Sequence, residues 1–396
     1  MADPSYGKFA GLRNTVPAER MKPEDLLVAR NVDLDNGQRL SRRSGQTLLV
    51  AGSVHSLWAE DATCLYVRDG SMFQLTPQLA SIEVAAGLSD APMAYVRVGE
   101  RVYHANGATS AVLTDGAVRG WGIPIDQIAV NATLIPTGTL PAGVYQFAMT
   151  WLRDDGQESG TGLATRIDLP AQGGLRFSWA VPDDLSIVGA ILYLTDADSK
   201  TLLQALQVDI EAGQADYLGG PRSLPLATQW YDVPPAGQCL AHYKGRIYIA
   251  AGAHLYATTP LGYEYCDVRD FRSFDGSTIT VLGAVDGGLF IGTERGLYFL
   301  GGANFAENTL QILLNSACVA GSLASGDGMA VTGRTELSGR RVLLLTTVDG
   351  VVLGLPDGSI QNLTLERYQF TPGARGAAVL RLDPTLSQYL ITTDLS

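Results

Sequence analysis

The chain has 396 residues, 46% of them apolar and 17% charged, with 45 glycines and a net charge of −12. That length and apolar content can build two or three cored domains, and the balance of glycine over charge argues against a mainly helical chain and for a turn-rich β protein. The acidity excludes a broad basic face of the kind that wraps nucleic acid, and no run of eighteen apolar residues exists to make a transmembrane helix.

Reading from the N-terminus, MADPSYGKFAGLRN lacks the apolar stretch of a secretory signal, so none is expected. Pro17 to Asn31 (PAERMKPEDLLVARN) is the best candidate for a helix, with Pro23 near a helical start. Val32 and Leu34 then alternate into a turn at Asn36-Gly37, followed by Arg39, Arg42 and Arg43. Asp33-Leu34-Asp35-Asn36-Gly37 opens like a calcium loop but lacks the downstream Glu, which favours a tight hairpin turn. Residues 1–50 carry eight Lys/Arg against six Asp/Glu, whereas residues 126–235 carry five against thirteen. On composition alone the opening segment reads as a hairpin with solvated arginines.

From residue 51 a phrase recurs: apolar strand, Gly-bearing turn, apolar strand. It reads CLYVRDGSMFQLT (Cys64 to Thr76), RVYHANGATSAVLT (Arg101 to Thr114), RIYIAAGAHLYATT (Arg246 to Thr259) and GLFIGTERGLYFLG (Gly288 to Gly301). Looser copies start at Arg341 and Gly376. VHSLWAED, MAYVRVG, CLAHYKG, TITVLGAVDG and GDGMAVTG supply a further strand before the hairpins. Three or four strands per repeat, five or six repeats and a period near forty predict a β-propeller-like array. Such rings close by joining N- and C-terminal strands, and the final repeats are less regular than the rest.

Tyr66 and Tyr103 stand 37 residues apart, and Tyr248 and Phe290 stand 42 apart, but Tyr103 and Tyr248 are separated by 145. The excess, about a hundred residues, is the size of a small β-sandwich. Within it Tyr145, Phe147, Met149 and Trp151 alternate onto one strand face, Asp154-Asp155-Gly156 turns the chain, and Leu175, Phe177, Trp179 and Val181 share a second face. AILYLTD and LLQALQVDI add strands, and Val233-Pro234-Pro235 makes a stiff exit. The predicted fold is all-β: an N-terminal arm (1–50), a first propeller segment (51–125), an inserted fibronectin/Ig-like β-sandwich (126–235) and a closing propeller segment (236–396).

Catalytic spacing is missing. No G-x-x-x-x-G-K loop, G-x-S-x-G elbow or H-E-x-x-H pair occurs. His55, His104, His242 and His254 have no ligand-like spacing, although His242 and His254 are read as lying on adjacent strands. Asp267, Asp270, Asp275 and Asp286 gather near Arg269, Arg272 and Arg295, but the repeated turns of a sialidase-like site are missing. Cys64, Cys239, Cys266 and Cys318 are scattered, as expected of reduced thiols in a cytosol. No catalytic residue, metal or cofactor is expected, and the chain is read as not an enzyme. Alternative readings are a carbohydrate- or receptor-binding propeller and, last, a glycosidase.

Three phrases carry a resemblance: the opening segment with Asn31-Val32-Asp33, Gly37, Arg42-Arg43 and Gly45; FRSFDGSTITVLGAVDGGLFIGTERGLYFLGG (Phe271 to Gly302) followed by CVAGS; and GVYQFAMTWLRDDGQESG. Together they resemble the tail hub or nozzle (stopper, packaged-DNA stabilisation) proteins of short-tailed bacteriophages. The resemblance implies a structural virion protein made in the bacterial host cytoplasm. It would form a homo-oligomeric ring, usually of six copies, below the portal and adaptor, holding in the packaged genome and conducting double-stranded DNA during ejection. In that setting the basic arm, with Asn31, Arg39, Arg42 and Arg43, would dock to a neighbouring ring, and acidic surface would face the passing DNA.

Overall fold

A computed structural model describes residues 7–35, 37–125, 128–274, 276–302, 305, 308–383 and 386–393. The chain is all-β, a propeller-like array with an inserted β-sandwich and an N-terminal arm. It divides into two compact units, one of residues 1–109, 236–255 and 272–396, the other of residues 110–235 and 256–271.

The first unit contains three complete four-stranded antiparallel meanders. One runs through Val54–Glu60, Thr63–Arg68, Ser71–Leu75 and Ser81–Ala85. The next is Ile279–Val285, Gly288–Thr293, Leu297–Gly301 and Thr309–Leu314, and the third is Ala324–Asp327, Arg341–Thr347, Gly350–Gly354 and Ile360–Asn362. The same unit holds the antiparallel pairs Ala94–Val98 with Arg101–Ala105 and Cys239–Tyr243 with Arg246–Ala251. Gly376–Asp383 and Leu386–Thr393 form a closing hairpin.

Leading strands pack in succession: Val54–Glu60 on Ala94–Val98, that strand on Cys239–Tyr243, and that on Ile279–Val285. Ile279–Val285 in turn meets Arg341–Thr347, and Ala324–Asp327 meets the closing hairpin. This is the arrangement of propeller blades. Central strands are covered on both faces, so their apolar runs are continuous: every residue of Gly288–Thr293 is buried. Glycine allows adjacent blades to approach, since a Cβ on Gly354 would lie 2.9 Å from the Phe290 ring. The hairpin turns need left-handed backbone, supplied by Asp69-Gly70 (φ 50° and 76°) and Lys244-Gly245 (φ 44° and 74°).

The second unit is built on a seven-stranded sandwich. Val130–Leu140, Gly173–Trp179 and Gln214–Tyr217 form one sheet; Thr165–Leu169, Gly143–Arg153, Ile187–Leu194 and Leu203–Asp209 form the other. Tyr145, Phe147, Met149 and Trp151 point inward with Leu175, Phe177 and Trp179 and make a single core. The alternation expected of both strands is present, except that Val181 lies past the strand end and is 50% exposed.

Two expectations are corrected. Pro17 to Asn31 is not a helix: Ala18–Arg20 makes one 3₁₀ turn, and Asp25–Leu26 pairs in parallel with Gly11–Leu12. Pro23 drives Lys22 towards extended backbone, and the adjacent Leu26, Leu27 and Val28 cannot all share one helical face. GDGMAVTG is not a strand throughout either. Its first residues end Ala324–Asp327, and Gly328–Thr332 forms an α-helix. The Asp327 carboxylate accepts from the Ala330 N–H, and left-handed Gly333 ends the helix.

Candidate functional site

The arm is tied to the end of its own unit. Asn14 exchanges hydrogen bonds with Gln369: its side-chain amide donates to the Gln369 carbonyl (2.6 Å), and its side-chain oxygen accepts from the Gln369 N–H (2.7 Å). The Asn14 N–H donates to the Arg367 carbonyl (3.0 Å), and the Thr15 hydroxyl donates to the Glu366 carbonyl (2.8 Å). Beyond these backbone contacts lie two carboxylate clasps, each gripping one arginine from the arm and one from the closing segment.

In the first clasp, Asp25 accepts from Arg13 at 3.3 Å and from Arg367 at 2.7 Å, and its side chain is almost wholly buried. In the second, Asp33 receives Arg381 at 3.1 Å and Gln388 at 3.4 Å, with Arg43 at 3.5 Å. Burial alone would push both carboxyls up. For Asp25 the Lys22 N–H, the Arg13 hydrogen bond and charge and the Arg367 charge outweigh burial; for Asp33 the Gln388 and Arg381 hydrogen bonds and the Arg381 and Arg43 charges do so. Both therefore ionise below the ordinary aspartate range.

The four expected docking residues have different placements. Arg43 is half-buried and engaged with Asp33. Asn31 is exposed in left-handed backbone (φ 55°), and its carbonyl accepts from the Arg43 N–H (3.1 Å). Arg39 and Arg42 have exposed side chains that form no ion pair among the described residues. Arg42 pairs through its backbone with Val32 in the hairpin of Val32–Leu34 and Leu40–Arg42. The hairpin is turned over from what alternation suggests: Asp33 is buried and Val32 is exposed. Charge partners more than 340 residues away decide that face. The turn itself is organised by Asp35, whose side chain accepts from the Arg39 N–H at 2.8 Å, and Asn36 lies outside the described residues.

Sequence reasoning missed Asp25, Arg367, Arg381 and Gln388. A signal was present in the lone acid of Val32-Asp33-Leu34, but nothing local names its partners.

The other candidates do not converge. His242 is on Cys239–Tyr243, which pairs with Arg246–Ala251, whereas His254 begins a later strand, so the two do not lie on adjacent strands. Asp267 accepts from Arg269 (2.7 Å) in the second unit, Asp286 binds Arg340 (2.9 Å) in the first, and Asp275 lies outside the described residues. No group of three metal-ligating side chains occurs among the described residues. All four cysteines are free thiols, and burial pushes Cys239, Cys266 and Cys318 up to about 12, which suppresses thiolate chemistry. His104 is buried beside Tyr95, and burial lowers its pKa to about 4.

No family model and no curated protein matches the chain. Among solved structures it is similar to a streptogramin B lyase, with 10% identity, TM-score 0.36, and 86% of this chain and 94% of that chain covered. Apo AztD from Citrobacter koseri is similar at 12% identity and TM-score 0.36, covering 86% of this chain and 80% of that one. The Neurospora crassa Pan2 WD40 domain is similar at 8% identity and TM-score 0.34, covering 82% of each chain. Likenesses this distant assign no activity. They do correct one expectation: the similar structures include proteins named as lyases, streptogramin B lyase and virginiamycin B lyase from Staphylococcus aureus, so the reading of the chain as not an enzyme is withdrawn.

Proposed function

We propose that the chain is a structural component of a short-tailed phage tail, a hub or nozzle subunit that assembles as a ring, usually sixfold, below the portal and adaptor. The carrying observation is the opening segment. Its Asn31-Val32-Asp33, Gly37, Arg42-Arg43 and Gly45 resemble that family, and Arg39 and Arg42 stand exposed on a clasped hairpin, with no ion pair among the described residues, suited to an acidic neighbour. The net charge of residues 51–396, −14, supports the accompanying proposal for the lumen: acidic surface along it repels duplex DNA from the wall and lets it slide.

Deleting residues 1–50 would be a poor test of docking, because it also strips Arg367 and Arg381 of their carboxylates. The double substitution Arg39→Glu/Arg42→Glu leaves both clasps in place. The expected outcome is that wild-type protein joins portal-containing particles as ring density in negative-stain images and the double variant does not. Wild-type protein that never joins a particle but binds glycans on an array would instead establish a carbohydrate-binding propeller.

A further inference from the structure

We infer that the inserted unit carries the receiving site for the arm of a second copy of this chain, an inference that rests on the ring reading above. The site is a cleft of about 610 Å³ within the second unit. Trp121, Pro124, Val181 and Pro182 are among its apolar lining residues, and Asp183 and Asp184 also line it. No lysine or arginine lines it among the described residues.

Of the lining residues Trp121 is fixed in place: it is buried, and its indole N–H donates to the Tyr263 carbonyl at 2.8 Å. Asp184 is held in a turn by the Ser186 N–H (2.9 Å). The loop therefore presents apolar, acid, acid, apolar in order, with Val181 50% and Leu185 94% exposed.

The arm offers the complement. Leu27 and Val28 are 60% and 62% exposed, and Arg30 follows two residues later, exposed. This strip lies between Asp25 and Asp33, so the two clasps hold both of its ends. Adjacent exposed aliphatic side chains on a fixed strip, followed by a cation, complement a cleft lined by both apolar side chains and two carboxylates. The segment totals point the same way, with +2 on residues 1–50 and −8 on residues 126–235. An arm on one copy meeting a cleft on the next is a heterologous contact, the type that generates rings when the rotation closes.

The test is sedimentation velocity of the full-length chain over a concentration series, with four variants. Leu27→Asp, Arg30→Glu and Asp183→Arg are each expected to weaken self-association by about tenfold or more, since like charges or a buried carboxylate then meet across the contact. Combining Arg30→Glu with Asp183→Arg is expected to recover most of that loss, which general surface damage would not do. Self-association that is indifferent to all of these variants overturns the docking site while leaving the ring reading standing. A chain that stays monomeric at every concentration and also fails to join particles overturns both. Variants that alter protease access to the arm without any concentration dependence place the arm on its own copy's cleft and overturn the second-copy assignment.

Discussion

In the inserted sandwich, Tyr145, Phe147, Trp151, Leu175 and Phe177 face one another across two sheets, and almost all of their surface is gone from water. In the arm, residues 7 to 43 bury few apolar side chains and are held by Asp25, Asp33, four arginines and a handful of backbone bonds. The first attachment rests on apolar burial, which is non-directional; the second depends on charge and on partners from the far end of the chain. One chain thus combines a rigid body with a segment whose grip depends on solution conditions.

The largest effect should come from the sandwich. Phe177→Ala is expected to cost about 3–5 kcal/mol of unfolding free energy in urea melts, by lost burial and cavity formation. Gly174→Ala tests the same sandwich through the backbone, since its Cβ would lie 2.5 Å from the Thr137 carbonyl oxygen of the neighbouring strand. If either variant melted like wild type, the sandwich would not be the rigid partner in the contrast.

The second effect belongs to His104. Burial holds its pKa at about 4 against an ordinary 6.5, so the unfolded chain takes up the proton first as pH falls. Stability is then level above pH 6.5 and declines between 6.5 and 4, by roughly 3 kcal/mol in total. His104→Leu should remove that slope in calorimetric melts run at a series of pH values; an unchanged slope would assign it to other groups.

The arm should respond at lower pH and without global unfolding. Asp25 and Asp33 have lowered pKa values, so their contribution is complete above the ordinary carboxylate pKa of 3.8 and disappears as pH falls through the lowered values. Pepsin should begin to cut within residues 7–43 in that window while the sandwich stays intact. Smallest is Asp33→Asn, which leaves the first clasp in place. It should raise protease access around residues 31–43 at neutral pH with little change in the melting temperature. If arm and sandwich became sensitive together in either experiment, the two would be one cooperative body.

The same contrast explains what was legible in the sequence. The strand faces of Tyr145–Trp151 and Leu175–Trp179 could be read because burial imposes a period of two on neighbouring residues. The hairpin turns could be read because only certain residues accept left-handed backbone cheaply. The burial of Asp33 could not, because its partners Arg381 and Gln388 come from the other end of the chain. The helix at Gly328–Thr332 was hidden by its brevity, although Asp327 and Gly333 are capping residues at the expected offsets. In the arm, contiguous apolar residues suggested a helix, and no local pattern showed that they would be left facing outward.

The sequence separation across the second clasp also sets a clock. Asp33 and Arg381 are 348 residues apart, so at a synthesis rate of about 5–20 residues per second the arm waits roughly 17 to 70 s for its partner. During that interval Asp33 has Arg43 of its own arm but neither Arg381 nor Gln388, so the second clasp is only half made. The residues that finish the last hairpin thereby act as the second of two latches, and a copy whose synthesis stops short of them keeps the first clasp but leaves the second open.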